Sequence, residues 1–177
     1  MFEEEKKDFM KAVRSVMEQL LGEVYEDSHG TLKSFMTGLG QYDSNAVVEM
    51  SWMPMEEYCV LQIYTTLVQN VEEDIVPKMQ ECLWNLNKLI LLGQFGYISK
   101  YHQIYHQIRL PISIHYWEVA LNQVRFCLRQ LRKELEAYQD YLLLIADNPD
   151  IVSLEEYLGA VIIDEESLRK QKERLKL

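Results

Sequence analysis

Residues 46–67 read Ala46-Val47-Val48-Glu49-Met50-Ser51-Trp52-Met53-Pro54-Met55-Glu56-Glu57-Tyr58-Cys59-Val60-Leu61-Gln62-Ile63-Tyr64-Thr65-Thr66-Leu67. In the first half, Ala46, Val48, Met50 and Trp52 alternate with Val47, Glu49, Ser51 and Met53. In the second, Cys59, Leu61 and Ile63 alternate with Tyr58, Val60, Gln62 and Tyr64. A period of two puts each set on its own face of a β-strand. Pro54 ends the first run, and the short connection predicts an antiparallel hairpin.

The flanking segments change period. Phe9, Val13, Val16, Met17, Leu20 and Leu21 follow the 3.6-residue repeat of an amphipathic helix over Phe2–Leu21, with Gly22 to stop it. Leu32–Leu39 is a further strand candidate, after the turn-like Ser28-His29-Gly30. A helix is expected over Glu72–Leu92, with apolar stripe Ile75, Met79, Cys82, Leu83, Leu86 and Ile90, Pro77 in its first turn and Gly93 as its stop. Gln94–Ser99 and Tyr101–Leu110 form a second strand pair, closed by Pro111. Ser113 is placed to cap a long helix whose stripe runs Trp117, Leu121, Val124, Leu128, Leu131, Leu135, Tyr138, Leu142 and Ile145. The breaker Asp147-Asn148-Pro149-Asp150 follows, then a capping box in Ser153-Leu154-Glu155-Glu156 and a last helix from Asp164.

The order α-β-β-(β)-α-β-β-α predicts an α+β fold. It is a curved antiparallel sheet of four or five strands with helices on one face. One domain spans 1–147 and a helical extension 148–177. Leu61, Ile63, Met79, Leu83, Leu86, Val124, Leu128 and Leu131 are expected to share its core.

The chain has 177 residues, 18 basic and 28 acidic, a net charge of −10. That balance disfavours a phosphate backbone or an anionic membrane as the main partner. The longest apolar stretches, Leu89–Leu92 and Tyr141–Ala146, fall far short of the roughly 18 residues that span a bilayer. The start, Met1-Phe2-Glu3-Glu4-Glu5, is acidic where a secretion signal is basic. Cys59, Cys82 and Cys127 are odd in number, widely spaced and set among apolar neighbours, which reads as reduced core thiols in a cytoplasmic protein.

Candidate chemistry is thin. His102, His106 and His115 form the one cluster to weigh. On a strand, His102 and His106 share a face with Ile104 and Ile108 but stand roughly 13 Å apart, too far for one ion. A helical turn over Gln103–Gln107 would shorten that spacing, yet the isoleucine alternation favours strand. The acidic runs Glu3–Glu5, Glu72–Asp74, Glu155–Glu156 and Asp164–Glu166 all begin helices, where the dipole accounts for them. No catalytic residue, cofactor or metal is predicted. The tyrosines say more: Tyr58, Gln62 and Tyr64, with Tyr101 and Tyr105, would build an outward sheet face from residues enriched at interfaces.

The stretch Met79–Ile98 carries Leu83-x-x-Leu86-Asn87-Lys88, then Gly93-x-Phe95, a strand, and a second strand ending in Leu110-Pro111. With the element order, it resembles the YbjN family, which is similar in fold to type III secretion chaperones. The resemblance covers residues 1–147. It implies protein binding without catalysis: a regulator or a chaperone, small, acidic and dimeric. The expected function is therefore a non-enzymatic module that binds another polypeptide through the sheet face or edge, as a homodimer. The alternative is a small-ligand or metal-binding protein, or an enzyme, with a pocket near His102, His106 and His115.

Overall fold

The computed structural model describes residues 2–55, 58–113 and 116–159. His115 and the helix expected from Asp164 lie outside them.

The chain forms α1 (Phe2–Leu21), β1 (Tyr25–Glu26), β2 (Leu32–Leu39), β3 (Ser44–Pro54), β4 (Cys59–Val68), α2 (Val76–Leu86), β5 (Gln94–Ile98), β6 (Gln103–Ile112) and α3 (Trp117–Asp147). The class is α+β, as the periodicity predicts. The sheet has six strands rather than four or five, in the order β1-β2-β3-β4-β6-β5, and every neighbouring pair is antiparallel. The extra strand is the two-residue β1, pairing Tyr25 with Lys33 and Glu26 with Leu32, too short to leave an alternating signal. The central hairpin has the expected register, from Val47 opposite Thr66 to Pro54 opposite Cys59.

All the long helices bury their stripes on one sheet face. Phe9, Val13, Val16 and Met17 of α1 join Met50, Leu61 and Ile63 of the sheet. Met79, Leu83 and Leu86 of α2 and Val124, Leu128 and Leu131 of α3 complete the same cluster, so all eight expected core residues share it. Phe9 meets Trp52 at 5.6 Å between ring centroids, pinning α1 to the rim of β3. The three cysteines are buried and unpaired.

Several boundaries differ from expectation. The second helix ends at Leu86, not Leu92, after a single 3-10 turn at Glu73–Ile75. Its stop is Asn87, whose side chain grips Phe95 of β5 twice. The amide Nδ2 donates to the Phe95 carbonyl at 2.9 Å, and Oδ1 accepts from the Phe95 N–H at 2.7 Å. That pair imitates a ladder rung and draws residues 87–93 away from the helix. Gly93 turns the chain into β5 with φ +74°, where a β-carbon would strike the Gln107 carbonyl, so glycine is required on two counts. β6 continues through Pro111 to Ile112. The pairing with β5 has already ended at Gln94 opposite Gln107, so the proline sits on a stretch with one open side. Ser113 does not cap α3. The helix starts at Trp117 behind Tyr116, whose N–H reaches the Ser113 carbonyl at 3.1 Å.

After Asp147 the chain turns back along α3. Residues 154–159 are helical, and the predicted capping box is present: Ser153 Oγ accepts from the Glu156 N–H at 3.2 Å, and Glu156 Oε2 accepts from the Ser153 N–H at 2.9 Å. Tyr157 packs its ring at a tilt against Tyr141, with 5.3 Å between centroids, and donates its hydroxyl to the Ala137 carbonyl. The extension thus begins as part of the core's rim.

Candidate functional site

Because the helices take one face, the other is built by the odd-phase residues of β2–β6. Their register is continuous. Lys33, Glu49, Tyr64, Gln107 and Gln94 stand in one row. Phe35, Val47, Thr66, Tyr105 and Gly96 stand in the next, and Ser51, Gln62 and Arg109 in a third.

Two tyrosines dominate this face. Tyr64 and Tyr105 occupy diagonal positions and stack at 5.1 Å with 19° between their planes. Gln103 Nε2 donates to the Tyr64 hydroxyl at 2.7 Å. The Tyr105 ring lies over Gly96, where any β-carbon would collide with it. Each contact removes rotamer freedom before anything binds, which lowers the ordering cost of association. Partial burial of Tyr64 pushes its phenol above the ordinary value, with the Gln103 bond pulling the other way. It stays a neutral hydroxyl near pH 7.

A shallow open groove of about 480 Å³ runs beside this pair, lined by Gln62, Tyr64, Thr66, Tyr101 and Gln103. Its far bank is polar. Lys33 bridges Glu49 at 2.6 Å and Asp27 at 3.3 Å, and the Glu49 contact chiefly raises its pKa. Asp27 accepts from the backbone N–H groups of His29 and Thr31, which hold its carboxyl below the usual range. The floor is amphipathic and rich in hydrogen-bonding groups.

The structure brings four of the five predicted face residues together: Gln62, Tyr64, Tyr101 and Tyr105. Tyr101 contributes from the 3-10 turn Ser99–Tyr101 between β5 and β6, not from a strand, and is 56% exposed. Tyr58 is separate. It precedes β4 in the turn closed by the Met55 N–H on its carbonyl, roughly 20 Å along the strand from Tyr64.

The histidines do not converge. His106 is on β6, wholly buried on the helix side, with its ring edge against Phe95. His102 does not share its face: it ends the turn with left-handed backbone (φ +47°), 3.8 Å from Glu73 at the surface. Among the described residues no group of three or more histidine, cysteine or acidic side chains is placed to hold a metal ion. No described helix is long and apolar enough to cross a membrane.

Two buried acids escape the sequence reading. Glu134 Oε1 accepts from the Leu91 and Leu92 N–H groups at 3.0 and 3.3 Å and from Gln130 at 3.0 Å. Asp140 accepts from the Gln41 N–H at 2.7 Å and clamps the β2–β3 turn. Their signal is present in hindsight, since each interrupts the apolar phase of α3 with an acid. Comparison with protein-family models and with curated proteins yields no match for the chain.

Proposed function

We propose that the chain is a non-enzymatic protein-interaction module, chaperone-like or regulatory. It binds another polypeptide through the outer sheet face or a free edge, and works in the cytoplasm as a homodimer. The observation that carries this reading is the Tyr64–Tyr105 stack, held by Gln103 and backed by Gly96, on a face that no described helix packs against. Aromatic side chains already fixed in place are the usual anchors of a protein interface. The five-residue β5 lies at the sheet's edge beside this face, so an extended peptide could add a strand there while its side chains rest on the tyrosines.

Sedimentation of the full chain at micromolar concentration and moderate salt tests the dimer. A two-fold contact of about 800 Å² per partner on this face yields a dimer that Tyr64→Ser with Tyr105→Ser dissociates. A monomeric parent protein rejects the homodimer. A dimer unchanged by both substitutions places the contact elsewhere and rejects the outer face as its seat.

A further inference from the structure

β5 ends the sheet, paired with β6 on one side and with no described strand on the other. A strand in that position offers main-chain N–H and C=O groups to any extended chain, and proteins blunt such edges with shortness, charge, proline or a bulge. The opposite edge, β1, is two residues long. β5 has none of these protections. Gln94-Phe95-Gly96-Tyr97-Ile98 carries no charge and no proline, and its register with β6 runs unbroken from Gln94 to Ile98. Asn87 stands in for them. Its side chain takes both main-chain groups of Phe95, donating to the carbonyl at 2.9 Å and accepting from the N–H at 2.7 Å. The end of α2 delivers it there, where the Asn87 N–H reaches the Leu83 carbonyl at 2.9 Å.

We propose that Asn87 is a latch that keeps the β5 edge from pairing with the β5 edge of a second copy of this chain. In an antiparallel strand both main-chain groups of a residue point to one side, and the side alternates along the chain. Because Asn87 holds Phe95 from outside the sheet, Phe95 and Tyr97 aim at the open edge, while Gln94, Gly96 and Ile98 serve the ladder with β6. The strand is self-complementary in that frame. A two-fold axis at Gly96 sets Phe95 of one copy opposite Tyr97 of the other, and each such pair exchanges both of its main-chain hydrogen bonds. Every one of those bonds uses a Phe95 group that the Asn87 amide already occupies. With the latch closed the pairing is therefore blocked in both halves, and with it open the two sheets become one. The latch presupposes only the edge route of the proposed function, not the tyrosine face.

The test compares the full parent chain with Asn87→Ala from micromolar to submillimolar concentration, by sedimentation and by hydrogen exchange at the Tyr97 amide. In the parent, Tyr97 is expected to exchange at a rate that does not depend on concentration. Asn87→Ala should reach about twice the parent's mass as concentration rises, with Tyr97 exchange slowing at least about tenfold over the same range. A urea transition confirms that the variant is folded. Asn87→Ser, too short to bridge both groups of Phe95, repeats the measurements if the alanine protein does not fold. The parent's own mass tests the homodimer, and the ratio of the variant's mass to it tests the latch, so the two can fail separately. Folded variants that keep the parent's mass throughout would overturn the latch. So would a gain in mass that leaves the Tyr97 amide unprotected, because the contact then lies elsewhere. Concentration-dependent protection of Tyr97 in the parent would overturn it as well, since the edge would be pairing with Asn87 in place.

Discussion

The Glu134 carboxylate of α3 comes within 3.8 Å of the His106 imidazole of β6, and both side chains are buried. They hold the two sides of the same residue. The Leu92 N–H goes to Glu134 at 3.3 Å, and the Leu92 carbonyl accepts from His106 Nε2 at 2.9 Å. The approach to β5, which has no helix to satisfy its backbone, is thereby tied to α3 and to β6 at once.

Removing Glu134 should unseat this segment. Glu134→Ala leaves two backbone N–H groups without their acceptor and is expected to lower unfolding stability by about 2–4 kcal/mol. Glu134→Gln retains an acceptor oxygen and should lose less. Urea titrations of the three proteins, read at a common slope, check the order.

His106 sets a pH dependence. Burial disfavours its imidazolium and lowers its pKa, while the bond to the Leu92 carbonyl and the nearby Glu134 pull it back up. A folded value below the unfolded one of about 6.5 means that the unfolded chain binds the proton first. Stability from this group is therefore full above pH 6.5 and falls as the pH drops toward the folded value, by at most about 1.4 kcal/mol per pH unit. Melting curves between pH 5 and 7.5 should show this slope, and His106→Gln should flatten it.

Asn87 should matter more than its place after a helix suggests. Asn87→Ala deletes both bonds to Phe95 and is expected to lower stability by about 1–3 kcal/mol. Hydrogen exchange should quicken at Phe95 while the amides of β3 and β4 keep their protection.

The core predictions concern α2 and α3. Leu83 is 3% exposed and Leu128 is 1% exposed, both within the single cluster. Truncating either to Ala should cost about 2–5 kcal/mol by denaturant unfolding. A loss below about 0.5 kcal/mol at both would displace the core from these helices.

The thiols should be silent in the native protein. All three are buried, and burial raises the pKa of Cys59 and Cys127. A thiol reagent at pH 8 should label them slowly in the folded chain and all three at once after unfolding.

What the sequence made legible follows from periodicity. The faces of β3, β4 and β6 and the stripes of α1 and α3 could be read because each runs long enough for its period to show. The end of α2 could not, because Leu89–Leu92 continues an apolar pattern that the helix does not use, and a side-chain clasp eight residues away decides it. Two exposed leucines, Leu89 and Leu91, are the residue of that mismatch. The tyrosine face was visible as an alternation of Tyr and Gln, but that Tyr58 stands apart depends on where β4 begins.

The sheet order also governs assembly in time. β6 lies between β4 and β5, so the strand made last fills the gap. While the chain is being synthesised, β4 leaves the ribosome with the run Cys59-Val60-Leu61-Gln62-Ile63 and one unpaired side, and its neighbour begins only at Gln103, more than thirty residues after β4 ends. A nascent chain stalled near Ile98 would present that long apolar edge to other copies of itself. The local β5–β6 hairpin can close first and dock as a unit, which makes the arrival of Gln103–Ile112 the moment at which the β4 edge is closed.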